Sequence, residues 1–169
     1  MTKFKLLVLC LTITSFSSGQ GKIKSKHIDK ANTQATTIIG TWKLIVHTDL
    51  DTISGKWFYR YGENPRGYFT YTKNGIVNLN ISTDNPMKIS EDSAKKYAVN
   101  LHAYLSTNAV GYFGTYTVDV ERSIVTHHVK GGSYPWYFET DQQRPFILKG
   151  DTLIITNNKT WKRVLVRVD

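Results

Sequence analysis

The chain has 169 residues, 40% of them hydrophobic and 12% aromatic, which suits one globular domain with some extra length and excludes a low-complexity or fibrous polypeptide. Its formal net charge is +9, but six lysines and one aspartate precede Ile38, so the body from Ile38 onward carries only +4. With no aromatic-basic platform and no nucleic-acid motif in that body, the charge does not call for a nucleic-acid partner.

The first element in chain order is a leader. Lys3 and Lys5 precede an apolar run from Leu6 to Phe16, and Ser17 and Gly19 take the small-residue positions of a cleavage site. This predicts a secretory signal peptide over 1–19, a mature chain from Gln20, and a secreted or periplasmic protein. The apolar run is short for a membrane span, so no stable membrane insertion is expected after cleavage. Cys10, the single cysteine, lies in the leader and follows Leu9, where a lipoprotein site requires a small residue. The mature chain then holds itself together without disulfides. Residues 20–37 are lysine-rich and lack periodicity, which predicts a flexible basic tether.

From Ile38 to Asp169 short β-rich runs alternate with turn signals. "GTWKLIVHT" comes first, followed by the polar "DLDTISG", in which Asp49 and Asp51 read as a solvated loop, and then "KWFYRY". Asn64, Pro65, Arg66 and Gly67 stand in the order of a type I turn. "GYFTYT" and "IVNLNIS" flank Lys73-Asn74-Gly75, a hairpin signal because Asn and Gly tolerate positive φ. "SEDSAKKYAVNLHAYLS" breaks the pattern. Ser90 reads as an N-cap, Glu91 and Asp92 favour a helix start, and Ala94, Tyr97, Ala98, Leu101 and Leu105 recur at helical spacing. A helix over about Glu91–Leu105 is expected near one barrel end, as a plug or lid or against the outer wall.

"YFGTYTV" and "SIVTHHV" then flank Asp119 to Arg122, "RPFILK" and "TLIIT" flank Gly150-Asp151, and "NNKT" leads into "WKRVLVRV". Consecutive hairpins predict an all-β, antiparallel up-and-down barrel of about eight to ten strands.

Alternation sorts the side chains into faces. Trp42, Leu44 and Val46 form the apolar, inward set of the first strand, which leaves His47 outside. Val125, His127 and Val129 form the more apolar face of their run, so His127 is expected inside and His128 outside. Neighbours on a strand point apart, so the two cannot chelate one metal together. Arg144 shares a face with Phe146 and Leu148, and Glu139 or Asp141 could pair with it. Tyr71 and Tyr116 could also reach the lumen. The candidate ligand-binding residues are therefore His127, Arg144, Tyr116 and Tyr71. No cysteine nucleophile, Gly-x-Ser-x-Gly elbow or phosphate loop is present in the body, and no catalytic residue, metal or cofactor is assigned.

The Gly-x-Trp at Gly40 to Trp42, with "GENPRGYFTYTKNG", "YFGTYTVD", "VTHHVKG" and "TDQQRPFILKGDTLIIT" in that order, resembles the bacterial and fungal lipocalin-like domain family of small calycin-type barrels. The resemblance covers about Ile39 to Val168. It implies a floor closed by Trp42, with a last-strand arginine over the indole; Arg167 is chosen over Arg163 by its distance from the end. It also implies a barrel with a cup. The leading expectation is a monomeric protein that binds a small, largely hydrophobic molecule there, with Arg144, His127 and Tyr116 orienting a polar or anionic end. The alternative is an isomerase, cyclase or hydrolase using His127 as acid–base and Arg144 against developing negative charge. A third reading is an envelope module with a solid core and an exposed apolar patch.

Overall fold

The computed structural model describes residues 38–96, 100, 103 and 108–168. The β-branched and aromatic runs form nine strands: β1 (Gly40–Asp51), β2 (Lys56–Tyr59), β3 (Arg66–Tyr71), β4 (Ile76–Ser82), β5 (Ala109–Asp119), β6 (Ile124–Gly132), β7 (Asp141–Lys149), β8 (Thr152–Thr156) and β9 (Trp161–Arg167). Every neighbouring pair is antiparallel, and β1 also pairs with β9, so β1 and β3 to β9 close into an eight-stranded up-and-down barrel. Closure removes the free edges that an open sheet would present. The turn between β3 and β4 uses Gly75 at φ 82°, a conformation that a side chain would strain.

The ninth strand stands outside the ring. β2 pairs with Thr48–Asp51 of β1, whereas β3 pairs with Gly40–Lys43. All four β2 residues are exposed. "KWFYRY" thus extends β1 as a flaring hairpin and contributes no wall of its own. Arg66 and Gly67 already belong to β3, opposite Ser82 and Ile81, so they are strand residues and not the corner of a type I turn.

The barrel has distinct ends. At one end lie the turns after β3, β5 and β7, together with Trp42, which is fully buried. The Arg167 guanidinium lies 4.1 Å from the Trp42 ring centroid and donates to the Ile39 carbonyl at 2.7 Å, while the indole N–H donates to the Ile38 carbonyl at 2.9 Å. Arg167 thus covers the indole at this end of the barrel, where the resemblance implies a floor.

The long connection between β4 and β5 leaves and re-enters at the opposite end, because Ser82 pairs with Ala109. It carries the helix α1 (Glu91–Lys96), capped by the Ser90 hydroxyl, which accepts from the Ser93 amide at 3.2 Å. None of the α1 residues is buried. The expected continuation to Leu105 falls mostly outside the described residues, as do the leader and the tether.

One irregularity decides what faces the lumen. Leu44 is opposite Leu165, but Val46 is opposite Val164, so Ile45 is an extra residue, a β-bulge in β1. A one-residue insertion reverses the alternation of everything after it. Trp42 and Leu44 point inward as expected. Beyond the bulge the buried positions are His47 and Asp49, and Val46 is displaced from the inward set. The expected outward His47 and the expected loop at Asp49 and Asp51 are both overturned: β1 runs through them and carries two polar groups into the barrel.

Candidate functional site

The upper half of the lumen holds a cavity of about 360 Å³. Phe69, Leu79, Ile81, Val110 and Ile155 supply its apolar wall. Its polar lining falls into two groups set on different strands.

The first group centres on β6 and β7. His127 is fully buried between two tyrosine hydroxyls, Tyr112 at 2.7 Å from Nδ1 and Tyr71 at 2.9 Å from Nε2. A neutral imidazole has one N–H and one lone pair, so one hydroxyl donates to the ring and the other accepts from it. Burial, reinforced by the positive charge of Arg144, lowers the His127 pKa from 6.5 to about 3. Burial likewise pushes Tyr112 up to about 12 against the pull of Arg144, and raises Tyr71 well above its ordinary value. This triad is neutral across the physiological range, and both histidine nitrogens are engaged.

Arg144 reaches the cavity beside this triad. Its guanidinium donates to Gln142 Oε1 at 3.0 Å and to the Gln143 carbonyl at 3.3 Å, and lies 5.6 Å from the Trp161 ring centroid. Neither Glu139 nor Asp141 pairs with it: the Asp141 carboxylate instead takes Nδ1 of the outward His128 at 2.7 Å. Among the described residues Arg144 has no carboxylate partner.

The second group comes from β1, β9 and the chain after β2. Asp49 lies between two arginines, one oxygen accepting from Arg163 at 2.8 Å and the other from Arg60. Burial alone would raise its carboxyl pKa, but the two guanidinium groups outweigh that and hold it below its ordinary value. Arg163 also donates to the Thr48 carbonyl at 2.7 Å and, like Arg144, lies 5.6 Å from the Trp161 centroid. His47 sits edge-on to Tyr61, with ring centroids 4.8 Å apart, and burial together with Arg163 lowers its pKa to about 3. With both histidines neutral, three guanidinium groups and one carboxylate leave the lining with an excess of positive charge.

The mouth is roofed by the loop between β6 and β7, where Tyr134, Trp136 and Tyr137 line the cavity. Tyr134 stacks on Trp136 at 4.8 Å, Tyr137 packs edge-on against Tyr112, and the Tyr134 and Tyr61 hydroxyls lie 3.3 Å apart.

A family model for the lipocalin-like domain matches residues 39–165, nearly the whole of the barrel just described. The chain belongs to the lipocalin-like domain family. No curated protein matches it in sequence. A closed barrel of this family, with an internal cavity at one end, points to small-molecule binding in the lumen.

Within this lipocalin-like domain the four sequence-derived candidates occupy different levels. His127 and Arg144 both line the cavity. Tyr71 lies beneath them toward the floor, buried, and holds His127 from below. Tyr116 packs edge-on against Tyr71 and donates its hydroxyl to the Thr72 carbonyl at 2.8 Å, away from the cavity lining. The residues that pattern reading missed are Asp49, Arg163, His47, Arg60 and Tyr112. A usable signal existed for Arg163: it alternates with Leu165 and Arg167, so the choice of Arg167 for the floor places Arg163 on the same inward face, two steps up.

Proposed function

We propose that the lumen binds a small molecule with an apolar, largely planar body and an anionic group, and that Arg144 is the anchor for that group. One observation carries the reading: a guanidinium set in the wall of the cavity, hydrogen-bonded to two neutral oxygens and lacking a carboxylate partner among the described residues. A charge taken partly out of water calls for an opposite charge. Arginine offers a planar fork that suits a carboxylate or sulfonate. The aromatic roof and the aliphatic wall provide flat contact surface for the body of the ligand. The neutral Tyr71–His127–Tyr112 triad supports Arg144 without cancelling its charge.

The test is binding of two fluorescent probes of similar body, the anionic 8-anilinonaphthalene-1-sulfonate and the neutral N-phenyl-1-naphthylamine. Arg144→Gln weakens the anionic probe by about tenfold or more, the cost of one charge-assisted hydrogen bond, and leaves the neutral probe nearly unchanged. Equal losses for both probes refute the anchor.

The leader, the basic tether and the monomeric state belong to the same proposal. The protein is exported, loses residues 1–19 and works as a monomer outside the cytoplasm. Mass measurement of the protein recovered from its own cells checks this, with Gln20 as the expected first residue.

A further inference from the structure

We infer that the lumen contains a second, uncharged polar subsite at His47, and that the ligand is therefore a hydroxy acid, with an anionic group at one end of an apolar body and a hydroxyl at the other. This inference rests on the Arg144 reading and adds to it.

The geometry separates the two subsites. His47 is on β1 and Arg144 on β7, three strands apart around an eight-strand ring, so they approach the lumen from different walls. The apolar side chains of Leu79, Ile81 and Ile155 line the space they share. Arg163, on β9 between them, is taken by Asp49, so a ligand that meets both is polar at each end and packs its body on these apolar side chains.

No other described residue hydrogen-bonds the His47 ring. It is 4% exposed, it lines the cavity, and its Nδ1 is buried without any hydrogen-bond partner. Nδ1 is closed off from the cavity, so the ring meets a ligand through Nε2, which no group of another described residue takes. The polar groups around it are already engaged. The two Asp49 oxygens are held by Arg163 and Arg60, and the Tyr61 hydroxyl faces that of Tyr134.

The chemistry selects a hydroxyl. Burial first, and then the charges of Arg163, the cross-strand partner of His47, and of Arg60, keep the imidazole neutral. A neutral imidazole makes no ion pair with an anion, and it exchanges a hydrogen bond with an O–H in either direction, because it carries one donor and one acceptor. A second carboxylate would be drawn to Arg163 and would have to displace Asp49. A hydroxyl leaves that ion pair intact.

The decisive experiment is calorimetric titration with 2-naphthoate and 6-hydroxy-2-naphthoate, against the wild-type protein and the variants His47→Phe and Arg144→Gln. The wild type binds the hydroxylated acid about three- to tenfold more tightly, the ordinary value of one net hydrogen bond. Arg144→Gln weakens both acids together. His47→Phe keeps an aromatic ring against Tyr61 and abolishes the preference, so that the two acids bind this variant with equal affinity. If 2-naphthoate binds through Arg144 but the hydroxyl adds nothing in the wild type, the subsite is refuted while the anchor stands. The subsite is likewise refuted if the preference survives His47→Phe. If neither acid binds the wild type, anchor and subsite both fall. The wild-type comparison needs no variant, so poor folding of His47→Phe cannot rescue the inference.

Discussion

Two buried neutral histidines make the barrel acid-sensitive in a defined window. His127 and His47 each have an ordinary pKa of 6.5 and a folded value of about 3. The sign follows from proton counting. Below pH 6.5 the unfolded chain binds protons that the folded barrel refuses, so stability falls as the pH falls, down to about pH 3. Between pH 7 and pH 5 each unfolded histidine goes from about one quarter protonated to almost fully protonated, which costs about 2 kcal/mol for each and about 4 kcal/mol for both. Asp49 does not confuse this window. Its depressed carboxyl contributes constant stability above its ordinary value of 3.8 and loses it only at lower pH. Urea unfolding followed by tryptophan fluorescence at pH 7 and pH 5 measures the difference. His47→Phe should remove about half of the pH effect. His127→Phe should remove the other half, while lowering stability at pH 7, because the Tyr71 and Tyr112 hydroxyls lose their shared partner. A wild-type loss below about 1 kcal/mol between the two pH values refutes the burial argument. So does an undiminished loss in the two single variants.

Two further outcomes test the frame around the cavity. Asp49→Asn leaves the largely buried Arg163 without its carboxylate and should cost about 3 kcal/mol in urea unfolding, at the lower end for a broken buried pair because Arg60 can turn to solvent. Arg167→Ala removes the cation over Trp42 and the hydrogen bond to the Ile39 carbonyl, and should cost about 1–3 kcal/mol while leaving probe binding at the distant mouth unchanged.

The closed barrel was legible in the sequence because its turns are local. Lys73-Asn74-Gly75, Gly150-Asp151 and "NNKT" each announce a hairpin within a few residues, and consecutive hairpins leave few topologies open. His127 and Arg144 were legible for a similar reason: β6 as far as Val129 and the inward run of β7 alternate without interruption. The other half of the site was hidden by the bulge at Ile45. Nothing in "WKLIVHTDLD" marks where an extra residue enters, because the bulge is fixed by pairing with β9, more than a hundred residues away. Strict alternation therefore puts His47 outside and ends the strand before Asp49. The exposed β2 reads as a wall strand because a flaring hairpin and a barrel hairpin share the same β-rich composition.

The bulge also explains how one strand serves two opposite demands. Near the floor, β1 must present Trp42 and Leu44 to an apolar core that is closed by Arg167. Near the mouth it presents His47 and Asp49 to a cavity. Were the strand regular, with no bulge at Ile45, the inward positions of the upper half would be Val46 and Thr48, and Arg163 would face the lumen with no acid on its neighbouring strand. Asp49 fixes Arg163 in place and lowers the positive charge on that side. Arg144 has no such acid within the described barrel. The two arginines near Trp161 are thus made unequal by what faces them. One is held by the protein, and the other is left for a ligand.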